Sequence, residues 1–310
     1  MRNDGGSETP LSSSSFRFAP SKRFRFVATY VSTKLFSIWW EVKAPRLRLF
    51  TYEMVYSFCR ATRRPPLQLR LLQFKQVTTI FGTFKIRPGS TDAACVSPAF
   101  ERPDLNHLLE LLSARLSSGL SVLFLDVGAD IGTYAVSVGN RLKGHGDIRI
   151  LAFEPSKSSY GLLRENLVAN DLMGIVEPRN VGLSDGSASV ATLRFDPHEP
   201  GGSGLNYSVV YGEHSEEIQL STIDAEVDLS SLADVVALKL DVEGSEVSVL
   251  EGASAVLSAA KEVVLLVEDF CDTRVINYLE DSGWSFAEKL TPYNSFWRLS
   301  QPVRSGIAQG

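Results

Sequence analysis

Cysteine is scarce in this chain, and the spacings that would tie cysteines to a metal or to one another are missing. Cys59, Cys95 and Cys271 are odd in number and widely separated, with no CxxC and no Cys/His cluster. The pattern therefore indicates neither a disulfide framework nor a structural zinc site. Since no other metal-ligand spacing occurs, we predict a metal-independent protein with reduced thiols, as in the cytoplasm.

Long apolar runs are also missing. No stretch of about 18 uninterrupted apolar residues occurs, so the sequence predicts no membrane-spanning helix. The nearest candidate, at 26–40, is interrupted by Lys34 and several hydroxyl side chains. Basic residues precede it, but no small-residue cleavage site follows, so we do not expect a cleaved signal segment.

Acidic residues are few at the start of the chain and abundant after it. Residues 1–75 carry 14 Lys and Arg against 4 Asp and Glu, and the rest of the chain carries 17 against 32. An acidic body argues against a nucleic-acid partner, which would need a basic groove. We expect residues 1–75 to form a basic, mainly helical extension, disordered over 1–15. Its aromatic and basic residues at 16–60 leave two interpretations open: peripheral contact with an anionic membrane, or packing on the acidic body, which we favour.

From residue 122 onward, apolar segments alternate with amphipathic ones, which is typical of βαβ units and a parallel sheet. Strands are expected at 122–127, 148–153, 174–183, 235–240 and 263–267, and helices at 133–142, 156–170, 245–259 and 272–282. A hairpin at 78–86 and a helix at 104–117 precede them, and an antiparallel hairpin at 285–299 closes the chain. We therefore predict a doubly wound α/β domain over 76–300, followed by a tail at 301–310.

The stretch VLFLDVGADIG at 122–132 predicts a binding site at the end of the first strand. Its glycines would let a ligand approach the backbone, and the following helix presents unpaired N–H groups. Glu154 ends the second strand 26 residues after Gly128, where a carboxylate can accept hydrogen bonds from both hydroxyls of a ribose. The arrangement is typical of a nucleotide-type site.

This turn lacks the second glycine of a dinucleotide fingerprint. Asp130 stands in that place, where a carboxylate would repel a pyrophosphate. Asp126 and Asp130 instead suit a cationic ligand with an amino acid part. S-adenosylmethionine fits, since it combines a ribose, an adenine, an ammonium group and a sulfonium without any phosphate. An NAD-dependent dehydrogenase on the same fold and a non-catalytic membrane-surface adaptor are the alternatives.

Carboxylates also crowd the end of the fourth strand, in the segment KLDVEGSE at 239–246. Because the carboxyl ends of parallel strands meet at one edge of a sheet, Asp241 is expected beside Asp126 and Glu154. Glu243 follows it in the turn. Glu246 has ordinary helix capping as its alternative role.

Several blocks in a fixed order together resemble an FkbM-type methyltransferase, a class I enzyme that uses S-adenosylmethionine. The blocks are DVGADIG at 126–132, FEP at 153–155, NLVAN at 166–170, NVGLSD at 180–185, LSTID at 220–224, KLDVEGSEVSVLEGA at 239–253 and VED at 267–269. The resemblance covers roughly 76–300. It implies a mostly parallel, seven-stranded sheet whose final strand is antiparallel. The family usually has asparagine where this chain has Asp130, so we expect Asp130→Asn to be nearly neutral for cofactor binding.

The resemblance also assigns roles to single residues. Asp126, Gly128 and Gly132 would hold the methionine part and Glu154 the ribose, while the segment with Asn180 and Asp185 would face the adenine. The full set expected to bind the cofactor is Asp126, Gly128, Asp130, Gly132, Glu154, Asn180, Asp185 and Asp241. Similar enzymes mostly methylate hydroxyl oxygens on sugars, glycolipids or secondary metabolites, which implies a small-molecule or glycan acceptor.

A hydroxyl acceptor needs a base, because its proton must leave during methyl transfer. The catalytic candidates are Asp241, Glu243 and His214, with the pair Glu268 and Asp269 at the end of the fifth strand as a further option. His214 borders a glycine-rich excursion at 198–215, which we expect near the acceptor.

Overall fold

The computed structural model describes residues 75–88, 90–96, 100–196, 202–205, 214–269 and 274–299. The predictions of a helical extension at 1–75, of disorder at 1–15, of packing or membrane contact at 16–60 and of a tail at 301–310 all concern residues outside these ranges, apart from Lys75. Within them, every helix is too short or too polar to cross a bilayer.

The strands of the described residues are β1 (Gln76–Thr78), β2 (Thr83–Lys85), β3 (Val122–Val127), β4 (Ile148–Phe153), β5 (Val176–Arg179), β6 (Gly182–Leu183), β7 (Val190–Phe195), β8 (His214–Ser221), β9 (Val235–Leu240), β10 (Glu262–Glu268), β11 (Trp284–Glu288) and β12 (Asn294–Leu299). The helices are α1 (Asp92–Cys95), α2 (Arg102–Ser117), α3 (Thr133–Leu142), α4 (Lys157–Ala169), α5 (Ile223–Glu226), α6 (Glu246–Glu251), α7 (Ser254–Ala259) and α8 (Arg274–Asp281), with a 3₁₀ turn at Leu229–Ser231.

Seven strands form the central sheet in the order β11-β12-β10-β9-β3-β4-β5. The pairs from β10 to β5 are parallel, and β12 runs antiparallel to both of its neighbours. The predicted fold class, a mostly parallel seven-stranded sheet with an antiparallel final strand, is confirmed. β3 and β9 are buried along their whole length because helices cover both faces, so their sequences are apolar runs without alternation.

Two apolar layers flank the sheet, and neighbouring residues of β3 alternate between them. Phe124 packs in the layer with α2, α3 and α4, whereas Leu123 and Leu125 pack in the layer with α6, α7 and α8. This arrangement is the doubly wound one that the sequence predicts. It leaves the carboxyl ends of the parallel strands open along one edge.

Two predicted elements are divided in the structure. The strand expected at 174–183 splits into β5, in the central sheet, and β6, which pairs with β8 in a separate three-stranded sheet. The helix expected at 245–259 splits into α6 and α7 at Gly252. A Cβ at Gly252 would lie 2.0 Å from the carbonyl oxygen of Ser184, so the helix breaks where another backbone segment passes against it.

Candidate functional site

The carboxyl ends of β3, β4, β9 and β10 border a cavity of about 400 Å³. Its wall includes six of the residues assigned from the sequence: Asp126, Gly128, Asp130, Glu154, Asp241 and Glu243. Four assigned residues are not part of that wall: Gly132, Asn180, Asp185 and His214. The carboxylates of three separate strands therefore meet at one edge of the sheet, as expected.

Asp126, in β3, caps the helix that follows it. Its buried Oδ2 accepts a hydrogen bond of 2.8 Å from the backbone N–H of Ala135. Gly132, which precedes α3, has no side chain for this task, so Asp126 satisfies the helix N-terminus from the strand. Burial raises the pKa of Asp126 to about 6, against the opposing effect of the Lys239 ammonium. One of its two oxygens is thus committed to the protein.

The two glycines of the turn have different surroundings. Gly128 has a φ of +79°, and a Cβ there would lie 1.8 Å from the carbonyl oxygen of Asp241. Glycine is needed at 128 because the turn after β3 touches the backbone at the end of β9. Gly132 has a φ of +91° and faces Leu163 of α4 rather than the cavity. It starts the helix, and Gly128 forms part of the cavity wall.

Glu154, the residue after β4, joins two turns of the site. Its Oε2 accepts a hydrogen bond of 2.9 Å from the backbone N–H of Asp130, and its Oε1 accepts one of 2.8 Å from that of Ser156. Burial raises the pKa of Glu154 to about 8, and the neighbouring Asp130 carboxylate adds to the effect. When Glu154 is ionised, each carboxylate oxygen retains a lone pair that can accept from a ligand hydroxyl.

Asp130 adopts a left-handed backbone conformation, with a φ of 44°. Its Oδ1 accepts a hydrogen bond of 2.6 Å from Nη2 of Arg87, so its charge is paired within the chain. The sequence alone indicated a cationic ligand for this carboxylate and no role for Arg87. The two residues are 43 positions apart, and only the packing of the β1–β2 hairpin brings them together.

Two asparagines four residues apart, Asn166 in α4 and Asn170 directly after it, hold that hairpin in place. The Asn166 side-chain amide bonds to both the N–H and the C=O of Lys85, at 2.6 and 3.1 Å. The Asn170 side chain does the same for Thr83, at 2.9 and 2.7 Å. Helical spacing places both amides on one face, and the strand presents alternate residues to them. The NLVAN block thus takes the place of a neighbouring strand for β2.

The residues expected to face the adenine lie outside the cavity. The Asn180 amide donates hydrogen bonds of 2.9 Å to the carbonyl oxygens of Glu154 and Pro155, which braces the turn after β4. Asp185 is exposed and accepts a hydrogen bond of 2.8 Å from the N–H of Ser187. The adjacent segment 181–183 forms that part of the cavity wall and is mostly apolar.

A buried lysine occupies the other end of the cavity. Lys239, in β9, is 4% exposed, and its Nζ lies 2.6 Å from Oδ2 of Asp241. The ammonium also lies 5.0 Å from the ring centre of Tyr134, whose hydroxyl donates to Glu101 Oε2 at 2.9 Å. None of Lys239, Tyr134 and Glu101 was assigned a role from the sequence. The sequence signal for this cluster was a lysine inside an otherwise apolar strand, because a buried ammonium needs a counter-charge.

Three carboxylates gather beside this lysine. Asp241, Glu243 and Glu268 each place an oxygen within 4.8 Å of the others. Burial raises the pKa of Glu268 to about 10, and repulsion by Asp241 and Glu243 contributes. Both effects favour the protonated form of Glu268. Asp269 points away and bonds to Nζ of Lys289 at 2.5 Å.

The remaining two candidates, Glu246 and His214, contact residues of neighbouring segments. Glu246 is buried, and its Oε1 accepts from the backbone N–H groups of Val242 and Gly244 at 3.2 Å, which is the capping alternative. His214 is exposed at the start of β8, where its ring stacks on Phe195 at 5.7 Å. Residues 202–205 of the glycine-rich excursion do line the cavity.

Comparison with known proteins places this site in a family. The Methyltransferase FkbM domain model matches residues 126–283. Methyltransferase sdnD of Sordaria araneosa is 31% identical over 156 residues, covering 41% of this chain and 59% of that protein. Hexuronic acid methyltransferase AglP of Haloferax volcanii is 28% identical over 154 residues, covering 50% and 59%. The chain thus spans about three fifths of the length of these relatives.

Among solved structures, methyltransferase FkbM from Methylobacillus flagellatus KT is similar at 18% identity and a TM-score of 0.40, over 58% of this chain and 44% of that chain. The family match covers half of the sequence and contains the ends of β3, β4, β9 and β10 that border the cavity. The chain belongs to the FkbM methyltransferase family.

Proposed function

We propose that this protein transfers the methyl group of S-adenosylmethionine to a hydroxyl oxygen of a sugar, glycolipid or secondary metabolite. The observation that carries the proposal is Glu154, a buried carboxylate on the cavity wall with each oxygen held by one backbone N–H. That arrangement orients the remaining lone pairs for two ribose hydroxyls. Family membership and the name of the hexuronic acid methyltransferase relative support this choice of reaction and acceptor.

The residues of the cavity suit this cofactor. Glu154 would accept from the ribose, the apolar segment 181–183 would cover the adenine, and the turn at Gly128 would approach the methionine part. The one described arginine beside the turn, Arg87, is fully engaged by acidic and hydroxyl groups of the chain and offers no phosphate site. When bound, S-adenosylmethionine supplies an electrophilic methyl carbon.

Asp241 is the residue to which we assign the acceptor proton. It lies on the cavity wall, and Lys239 holds one of its oxygens at 2.6 Å, which fixes the direction of the carboxylate. Burial raises the pKa of neighbouring Glu268, which favours its protonated, non-basic form. Holding the acceptor oxygen in line with the methyl carbon and sulfur supplies much of the remaining catalysis.

Thermal unfolding with S-adenosylhomocysteine, S-adenosylmethionine and NAD tests the cofactor. We expect the first two to raise the melting temperature and NAD to leave it unchanged, because only a bound ligand stabilises the folded state. Stabilisation by NAD alone would favour the dehydrogenase alternative. A screen with labelled S-adenosylmethionine should then transfer label to a hydroxylated glycan or secondary metabolite. Transfer to none of these classes would refute the proposed acceptor.

A further inference from the structure

Arg87 joins the segment before the family match to the turn of the site. Its Nη2 donates to Asp130 Oδ1 at 2.6 Å and to Asp92 Oδ1 at 3.0 Å, and its Nε donates to Asp92 Oδ2 at 2.9 Å. Its Nη1 donates to Ser159 Oγ at 3.0 Å. The side chain is 18% exposed, so these partners nearly surround it. One guanidinium therefore spans α1, the turn after β3 and helix α4.

Asp130 needs such a partner because it lies beside a second carboxylate. Its backbone N–H donates a hydrogen bond to the Glu154 side chain, so the carboxylates of Asp130 and Glu154 both lie at the turn after β3. Asp130 opposes ionisation of Glu154, and Arg87 favours it. Without Arg87, the charge of Asp130 would disfavour an ionised Glu154 and would repel the carboxylate of an amino acid ligand.

We infer that Arg87 is a positioning residue for the cofactor, acting through Asp130: it neutralises the Asp130 carboxylate and holds the turn so that Glu154 can accept the ribose hydroxyls. The inference rests on the proposed function. It has a specific consequence for the chain. A carboxylate at position 130 is tolerated because Arg87 balances it, so the effect of changing one residue depends on the other.

Calorimetric titration of S-adenosylhomocysteine into four proteins tests this dependence. We expect Arg87→Gln to bind about tenfold more weakly than the parent, because the Asp130 carboxylate would lose its charged partner at 2.6 Å. Asp130→Asn should bind like the parent, since asparagine tolerates the left-handed turn and can still accept from Arg87. The double variant Arg87→Gln/Asp130→Asn should also bind like the parent, because no unpaired carboxylate remains in the turn after β3.

Rescue in the double variant separates this role from a merely structural one. Arg87 also bonds to Asp92 and Ser159, and those contacts are lost equally in the single and the double variant. Arg115→Gln is the matched control: Arg115 forms a comparable pair with Glu262, at 2.6 Å, away from the cavity. It should lower the melting temperature without changing the affinity.

Each of the other outcomes would refute either the proposed function or the inference about Arg87. If the parent does not bind S-adenosylhomocysteine, the proposed function fails and takes the inference with it. If the parent binds but Arg87→Gln binds equally well or better, or the double variant stays as weak as the single one, only the inference is overturned. If Arg87→Gln does not fold, the double variant must recover both a cooperative melt and the parental affinity, and its failure to do so also overturns the inference.

Discussion

The backbone N–H of Asp130 donates a hydrogen bond of 2.9 Å to Oε2 of Glu154, so the turns after two neighbouring strands hold each other. The second oxygen of Glu154 receives the N–H of Ser156. Main-chain N–H groups thus orient the Glu154 side chain, and a residue substituted at 154 would have to accept hydrogen bonds from both of them.

Replacing Glu154 by glutamine should weaken cofactor binding. One carboxylate oxygen becomes an amide NH₂, which must face one of the two backbone N–H donors, so a charged hydrogen bond is lost in either orientation. We expect S-adenosylhomocysteine to bind about 10- to 100-fold more weakly by calorimetry. Glu280→Gln, on the exposed face of α8, is the control and should bind like the parent. Unchanged affinity in Glu154→Gln would remove the ribose assignment.

Two glycine substitutions separate backbone strain from steric exclusion. Gly119 and Gly128 have φ values of +80° and +79°, but a Cβ at Gly119 meets nothing within 4 Å, whereas one at Gly128 lies 1.8 Å from the Asp241 carbonyl oxygen. Gly119→Ala should cost about 1–2 kcal/mol in urea unfolding, the penalty of the left-handed conformation. Gly128→Ala should cost at least ~3 kcal/mol and abolish cofactor binding. Equal losses in the two variants would show that the contact with Asp241 is relaxed.

The stability of the unliganded protein should fall as the pH rises because of Glu268. Its pKa in the folded protein, about 10, exceeds its ordinary value of 4.5. Below that ordinary value both states hold the proton and no penalty exists. Above it the unfolded chain releases the proton that the fold retains, so the penalty grows up to about pH 10.

Glu268→Gln removes this penalty, because the neutral amide needs no proton. We expect its melting temperature to exceed that of the parent by at least about 5 °C at about pH 8.5 and to approach the parental value near pH 4.5. Glu280→Gln again provides the exposed control. A difference that does not change with pH would contradict the raised pKa of Glu268.

Asp241→Asn should lower kcat more than it lowers cofactor affinity. Loss of a positioned base typically costs 10²- to 10⁴-fold, and asparagine keeps the shape of the side chain. The measurement is steady-state methyl transfer to the acceptor found by screening, alongside calorimetry with S-adenosylhomocysteine. Glu243→Gln is the comparison on the same wall. A larger loss of kcat at Glu243 would move the base to that residue.

Chelation should leave methyl transfer unchanged. The carboxylates of Asp241, Glu243 and Glu268 lie close enough to suggest a cation site. The Lys239 ammonium and the proton on Glu268 already balance much of their charge, so no divalent cation is required for them to coexist. Excess EDTA should therefore not alter the rate. Loss of activity that Mg²⁺ or Mn²⁺ restores would refute the prediction of metal independence.

Three strands of the central sheet were predictable to the residue. The segments 122–127, 148–153 and 235–240 match β3, β4 and β9, because a strand covered on both faces is mostly apolar, with only Arg149 among their residues exposed. The break at Gly252 escaped prediction, since it depends on a backbone contact with Ser184 far away in the sequence.

The site was predictable only for residues that end strands. Asp126, Glu154 and Asp241 follow from the rule that strand ends meet, and all three line the cavity. The pairing of Arg87 with Asp130 depends on how a hairpin packs, and no local pattern encodes it. Asn180 was expected to face a ligand but braces a turn, because an amide serves either purpose equally well.

The asparagines of α4 also bear on association between molecules. A short strand such as β2 normally offers unpaired N–H and C=O groups that can template pairing with another chain. Here the side chains of Asn166 and Asn170 occupy those groups of Lys85 and Thr83. The side chains of Asn166 and Asn170 thus cover this edge of β2, and the buried Asn166 amide in turn depends on the hairpin for two of its hydrogen bonds. Removing the hairpin would therefore leave a buried amide of α4 without these partners, although the hairpin lies ahead of the residues that define the family.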